Sequence, residues 1–461
     1  TGANIYAIGY EALYNNTGAD NYAFGFLSLN ANTSGGNNVA MGLYTLRFNT
    51  TGYSQAAFGD RALTANTTGI LNSAFGSASL ISNTTGNYNV ALGANALNSN
   101  TTGSNNTAQG YQALQANTTA SNNTAVGYQA GYSNTTGRIT AIGANVLYAN
   151  TTGGENVGVG GETNNANAAL KSNTTGTGNT AVGNYALQAN TTGSYNTALS
   201  KDALASNTTA SNNTAVGYQA LILNTTGTQN VALGVYALAS NTIASSNVAV
   251  GYQALYTSNR TADTDTRNTA LGHQAGYSVT TGQYNVFVGS GAGNVGNATT
   301  TGSNNIIVGV SSGASAGTTS SEIVIGFSLT GKGANTAFIG GTSGAYNGAN
   351  TTTWSTTSDQ RLKKNIVDNN TGLDIINQIQ VRNFEYRLPE EVTDVPQEQA
   401  IKKQGIQLGV IAQELQQILP ECVKTESTGV MTVDADNLTW YLVNAIKELK
   451  AEFDAYKSTH P

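Results

Sequence analysis

Three things that commonly hold together a chain of 461 residues are scarce in this sequence. It has a single cysteine, Cys422, so it can form no intrachain disulfide framework, and its redox compartment cannot be read from cysteine usage. Its four prolines, Pro389, Pro396, Pro420 and Pro461, all fall after residue 357. Charge is distributed in the same lopsided way. Residues 1–357 carry 17 charged side chains, nine acidic and eight basic, whereas residues 358–461 carry 27. A change of this size within a few residues marks two kinds of structure, with a boundary near Ser358. No apolar run approaches the roughly 20 residues of a spanning helix, so membrane insertion is not expected. The start at Thr1 has neither an initiator Met nor a signal peptide and reads as a soluble fragment.

The first part is instead filled by one repeat. NTAVGYQALILNTTGTQ at 213–229 is followed directly by NVALGVYALASNTIASS at 230–246, a period of 17. Gly25, Gly42, Gly59, Gly76, Gly93, Gly110 and Gly127 keep that step, and Gly183, Gly217, Gly234 and Gly251 continue it, with Ser200 standing in once. About twenty copies fit before residue 345. Segments such as Thr214–Tyr218 alternate with period two, which is the strand signal. One face takes Val, Ile, Leu or Phe, as at Val90 and Leu92 or Val286 and Val288. The other is expected to take only Ala and Gly, with another backbone close against it. NTTG, as at 100–103 and 224–227, supplies turn residues.

Strand, turn, strand, turn at a fixed short period predicts a mainly β chain over residues 1–345, a parallel β-solenoid (β-roll) with about 17 residues per coil. A coil that short buries no core alone, so coils must stack at about 4.8 Å, giving a rod on the order of 100 Å long. Absence of proline fits, because stacked strands use their N–H groups on both sides. The NTAVG, NVALG and NVAVG cores resemble the head repeats of trimeric autotransporter adhesins, although the repeat here is a few residues longer. That resemblance implies three rolls packed about a common axis. The step is broken between Gly160 and Gly183, Gly251 and Gly272, and Gly289 and Gly309, where extra residues should leave the stack as loops suited to receptor contact.

Other chemistries find little support in this part. The Asn-x-Thr sequences at Asn66, Asn83 and Asn190 fit stacked turn ladders better than glycan acceptors. VGSGAGNVG at 288–296 mimics a phosphate loop, but no lysine follows and no strand-to-helix context exists. The nine acids are scattered and the only histidine before residue 358 is His273, so no catalytic set recurs. Asp263 and Asp265, between Arg260 and Arg267, read as surface ion pairs on an enlarged receptor loop rather than a calcium site. No metal, cofactor or nucleic-acid partner is expected. Tyr111, Tyr128, Tyr218 and Tyr252 share one repeat position, and would stack on sugar rings if it faces outward or form core if it faces inward.

From Ser358 the sequence reads SDQRLKKNIVDNNTGLDIINQIQVRNFEYR, then GVIAQELQQILPECV at 409–423, then LTWYLVNAIKELKAEFDAYK at 438–457. A helix is predicted from about Val410 to Leu419, ahead of Pro420. A second is amphipathic, with Leu438, Leu442, Ala445, Leu449, Phe453 and Tyr456 forming a seam suited to a short coiled coil. These blocks, in this order and after a β body, resemble the endosialidase-type intramolecular chaperone that ends many phage tailspikes and tail fibres. Ser358, Asp359, Leu362, Lys363 and Asn365 match its Ser-Asp-x-x-Leu-Lys-x-Asn motif in full. Residues 346–357 would then link the shaft to a small α-rich or α+β domain over 358–461.

The resemblance implies a homotrimer that brings three chains into register and then cuts itself off beside Ser358, with Ser358 and Lys363 as the dyad. A serine hydroxyl is a weak nucleophile, and an amine five residues on, kept neutral by burial, can take its proton. The cut would fall on either side of the serine. The leading expectation is therefore a virion tail or receptor-binding fibre, with an upstream fibre or baseplate partner and a glycan or surface protein as host receptor. No turnover enzyme activity is expected in the body. The alternatives are a bacterial surface adhesin, for which an anchor barrel would be expected in place of the charged final helix, and a fragment of an enzyme-bearing tailspike.

Overall fold

The computed structural model describes residues 4–161, 167–259, 265–294, 298–340, 345–347, 360–394, 404–425 and 430–460. The chain divides into two compact units, Thr1–Thr357 and Ser358–Pro461.

In the first unit, twenty strands from β1 (Ile5–Ile8) to β20 (Ala337–Ile339) pair each with the next, all parallel. Pairing follows the repeat. Val90, Ala91 and Leu92 lie beside Thr107, Ala108 and Gln109 of the following coil. This is a parallel β-solenoid of about 19 turns and about 17 residues per turn. Register survives the three enlarged steps, with Val157 beside Thr180, Val248 beside Thr269 and Val286 beside Ile306. Within those steps, residues 162–166, 260–264 and 295–297 lie outside the described residues.

Each coil has one strand, not the two that the sequence suggests. The central strand residue, such as Ala91, is fully buried, while its neighbours Val90 and Leu92 face outward. On the opposite leg two adjacent residues, Ala96 and Leu97, are both fully buried. An extended strand sends adjacent side chains to opposite faces. The leg instead turns through left-handed positions, with φ of 136° at Gly93, 59° at Asn95 and 51° at Leu97, so that both side chains point inward. A left-handed L-residue costs about 1–2 kcal/mol, and burying a leucine returns about 1.5–3 kcal/mol. The leg still stacks by backbone bonds. Leu97 N–H donates to Ala113 O at 3.0 Å and Asn95 N–H to Ser77 O at 2.9 Å. Glycine is required at position 93, because a Cβ there would lie 2.5 Å from Gly110 O.

The inward strand column is not confined to Ala and Gly. Phe287, Ile307, Val324 and Phe338 occupy it in the last coils, all buried. Volume is exchanged across the coil. Gly276 and Gly293 stand where other coils have Leu, and a Cβ on either would meet the Phe287 ring at 2.7 or 2.3 Å. Ile139 fills the space beside Gly131 in the same manner.

Turns are held by asparagine columns. Asn83 Nδ2 donates to Asn66 Oδ1 at 2.8 Å and to Gly86 O at 3.0 Å, and Asn100 Nδ2 donates to Asn83 Oδ1 at 2.8 Å. A second column, including Asn72, Asn89 and Asn106, accepts the backbone N–H of the next coil: Asn89 N–H donates to Asn72 Oδ1 at 2.9 Å. The sequon residues Asn66, Asn83 and Asn190 are members of the first column and fully buried. After the last parallel strand, β21 (Ala345–Asn347) pairs antiparallel with β20.

The second unit is small and mixed. Hairpin-like pairs join β22 (Arg382–Phe384) to β23 (Gln407–Gly409) and β24 (Val423–Thr425) to β25 (Met431–Val433), both antiparallel. Its helices are α1 (Leu373–Ile376), α2 (Ala412–Ile418) and α3 (Ala435–Thr459), the last two matching the predicted helices within a few residues. Pro420 ends α2 by opening a 3-10 turn. Asp434 caps α3, accepting from Asn437 N–H at 3.2 Å.

Candidate functional site

The second unit is organised around Leu415, Leu419 and Cys422, all buried, with Ile375, Val410, Val433, Leu438 and Tyr441 packed on them. Apolar periodicity in α2 puts Leu415 inward, and the helix is tied to β22 by Arg382, whose guanidinium meets Glu414 at 3.1 and 3.2 Å. Segment 369–376 lies along α3. Asn444 Nδ2 donates to Asn369 O at 2.7 Å, and Leu373 N–H donates to Glu448 Oε2 at 2.5 Å. Gly372 is needed for that approach, since a Cβ there would lie 2.5 Å from Ala445 N. Burial pushes the Cys422 thiol up, away from the reactive thiolate. The Tyr441 hydroxyl donates to Glu421, which lowers the carboxyl and raises the phenol.

Ser358 and Asp359 lie outside the described residues. Gln360–Leu362 form a 3-10 turn that Lys363 closes, its N–H donating to Gln360 O at 3.1 Å. Asn365 follows in the left-handed region, with φ of 54°. Arg361, Lys363, Lys364 and Asn365 are exposed in the single chain. The burial that a neutral lysine requires is therefore not supplied around Lys363 by the described residues of one chain.

Of the loop residues, Arg260 and Asp263 also lie outside the described residues. Asp265 and Arg267 are described and engage each other at 2.8 Å, while Ser246 Oγ donates to Asp265 at 2.8 Å and Arg267 sits 5.9 Å over the Tyr284 ring. Arg267 holds the Asp265 carboxyl below its usual range. This is the ion pair that the sequence suggests. The repeat tyrosines face outward in the single chain, with Tyr111 and Tyr128 each 46% exposed and their rings stacked at 5.7 Å.

Sequence reasoning missed two features. Glu322 occupies an asparagine-column position and is fully buried, accepting from Ser315 N–H at 3.0 Å and Gly333 N–H at 2.9 Å. Its break in the column was visible as SEI where other coils have Asn before the strand. The exposed seam of α3 also differs. Ala445 is buried against the 369–376 segment and Leu438 packs on the core, whereas Leu442, Ile446, Leu449, Phe453 and Tyr456 are exposed at alternating steps of four and three.

No helix among the described residues is long and apolar enough to cross a membrane, and no metal-binding group of His, Cys, Asp and Glu occurs among them. No curated protein matches the chain. Residues 358–424 match the family model for the chaperone of endosialidase. The match begins at Ser358, where the second unit begins. The C-terminal segment is thus a chaperone-of-endosialidase domain set behind a repeat body, a family that implies trimer formation and, joined to a β-solenoid, fits a fibre of the phage tail-fibre or tailspike type.

Proposed function

We propose that the chain is the subunit of a homotrimeric virion fibre that attaches to a host surface, and that its C-terminal domain registers three chains and then cuts itself off beside Ser358. The observation that carries this reading is the family match over 358–424, with Ser358, Asp359, Leu362, Lys363 and Asn365 in the motif positions. Two apolar faces left uncovered in one chain support the trimer. One is the α3 seam. The other is the outward strand face of the solenoid, where Met41, Leu92, Leu233, Leu271 and Ile325 are exposed in one file. An apolar file of this length, broken among the strands by Gln109, marks an interaction surface.

In the proposed reaction the Ser358 hydroxyl attacks a neighbouring backbone carbonyl, either that of Thr357 or its own, while the Lys363 amine takes the hydroxyl proton; the C–N bond of that peptide breaks, Lys363 returns the proton to the leaving amine, and water hydrolyses the resulting ester to separate the two chains. The lysine must be neutral, and neighbouring chains of the trimer would supply the burial that makes it so. Cutting is then confined to assembled trimers. Intact-mass spectrometry and light scattering test the reading together. Wild type should form a trimer and yield fragments ending and beginning beside Ser358. Ser358→Ala should trimerise without cutting. Lys363→Ala should cut about 10²- to 10⁴-fold more slowly, as expected for loss of a general base. Lys363→Arg should fail as well, because a guanidinium stays protonated. An uncut wild-type trimer, or normal cutting by Lys363→Ala, removes the dyad and leaves a registration clamp; a monomer removes the whole reading.

A further inference from the structure

The second unit holds a cleft of about 220 Å³ lined by Asn369, Glu421, Asn437, Trp440, Tyr441 and Asn444. The 3-10 turn Pro420–Cys422 carries Glu421 into it. Asn437, Trp440, Tyr441 and Asn444 come from the first three turns of α3, at i, i+3, i+4 and i+7, which is one face of a helix. Trp440 is 67% exposed. An indole left open beside polar groups is the kind of side chain that anchors chain–chain interfaces.

The polar groups around that indole are acceptors. Glu421 brings a carboxylate that accepts the Tyr441 hydroxyl, a bond that holds the carboxyl below its usual range and therefore charged at neutral pH. The amide nitrogens are committed elsewhere. Asn437 Nδ2 donates to Asp434 Oδ2 at 3.4 Å, and Asn444 Nδ2 donates to Asn369 O at 2.7 Å and to Thr371 O at 3.3 Å. Their amide oxygens remain as acceptors. Among the described residues no cation lies within ion-pair distance of Glu421. A carboxylate, amide oxygens and an indole face together suit an ammonium group, which donates to the oxygens and is attracted to the ring.

The same unit carries the complement. Arg361, Lys363 and Lys364 lie within four residues of the motif segment and are exposed in one chain. Arg361 and Lys363 already have partners. Lys364 forms no ion pair among the described residues. Elsewhere in the unit Arg382 is taken by Glu414, Lys424 by Asp434, Lys450 by Asp454 and Lys457 by the Phe453 ring. Acid–base chemistry also favours Lys364 over its neighbour. An ion pair with Glu421 would hold Lys363 protonated, the opposite of what a general base needs, whereas the same pair at Lys364 fixes the segment and leaves the Lys363 amine free to lose its proton. Lys364 is not one of the motif residues, so changing it leaves the dyad in place.

We infer that the Trp440 cleft is the socket for Lys364 of a second chain in the trimer, with the ammonium over the indole and paired to Glu421. Lys364 is then a positioning residue: seating it brings Lys363 against the neighbouring chain, which supplies the burial that a neutral lysine requires. The inference rests on the trimer and on the Ser358–Lys363 cut for its purpose. Charge reversal in the full chain tests it, with cutting followed by intact-mass spectrometry and association by light scattering. Lys364→Glu and Glu421→Lys should each slow cutting about tenfold or more, and the double variant should recover most of that loss. Glu421→Gln keeps the shape and the Tyr441 bond and should also slow cutting, and Trp440→Ala should slow it more than Trp440→Phe. Far-UV circular dichroism matching wild type shows that the unit stays folded. Mixed trimers made by co-expressing the two single-reversal chains should cut faster than either chain alone, because each then meets the opposite charge on a neighbour. A single reversal that cuts at the wild-type rate, a double variant no faster than the single ones, or rescue of Glu421→Lys by Arg387→Glu or Lys447→Glu in place of Lys364→Glu overturns the socket. Rescue in the double variant but not in mixed trimers places the pair within one chain and overturns it too. Each of these results leaves trimer and dyad standing when wild type assembles and cuts. If wild type assembles without cutting, the dyad falls and the socket is decided by the same variants through the concentration at which the trimer dissociates. A wild-type monomer overturns both.

Discussion

At the coil-glycine position among the described residues, Ser200 is the one side chain tolerated, and its φ of 125° lies where L-residues rarely go. Strain of that kind costs about 1–3 kcal/mol, partly offset by the about 0.5–1 kcal/mol that glycine loses in chain entropy. Ser200→Gly should therefore raise stability by about 1 kcal/mol, read as a higher midpoint in chemical denaturation. An unchanged or lower midpoint would mean that the serine side chain compensates locally. The coil glycines were legible from periodicity alone. The positive φ at Leu97 and its equivalents was not, because nothing in a leucine announces it; only the burial of two adjacent residues forces the turn. The pairing of Phe287 with Gly276 and Gly293 was legible in principle, as a large residue gained beside two lost leucines, but it takes the coil's cross-section to see that they meet.

Among the elements, α3 shows how far sequence spacing reaches. Its limits and amphipathic character follow from the text, yet the seam read from the text mixes two faces. Leu438 and Ala445 serve the unit's own core, and Leu442, Ile446, Leu449, Phe453 and Tyr456 remain exposed, Ile446 at 67%. A file with steps of four and three is the pattern of helices that pack on one another. Replacing Ile446 and Leu449 together by Asp should leave the single unit folded, since neither side chain is buried in it, but prevent association. Light scattering should then find monomers, and mass spectrometry should find the chain uncut. Trimeric, cutting protein from that double variant would place the association surface elsewhere. In the motif, the residue types at 358–365 were plain in the sequence, whereas the exposure of Lys363 was not, because it depends on how the folded unit covers the 3-10 turn before it.

On the scale of the whole molecule, the solenoid pays for its regularity in register. Moving a chain by one coil sets Ala108 where Ala91 was and Asn106 where Asn89 was, so that many wrong alignments are nearly as good as the right one. In the proposed trimer, three chains clamped at their C-terminal ends would start from one alignment, and a shaft melted after the proposed cut would have lost that reference. Heat-denatured, cut fibre should consequently refold poorly, while uncut Ser358→Ala fibre should recover its trimer under the same conditions. Equal recovery of both would show that the shaft carries its own register.

The reversal at β21 has its own effect. A stack of parallel strands has no natural end: the last strand offers the same unpaired N–H and C=O groups as every strand before it, and a coil from another molecule would fit there. This is the geometry by which amyloid fibrils elongate. A strand laid antiparallel on β20 covers that edge with one of opposite polarity, on which a parallel coil finds its donors and acceptors out of step. Rods of this kind can therefore be crowded side by side without polymerising end to end through this edge.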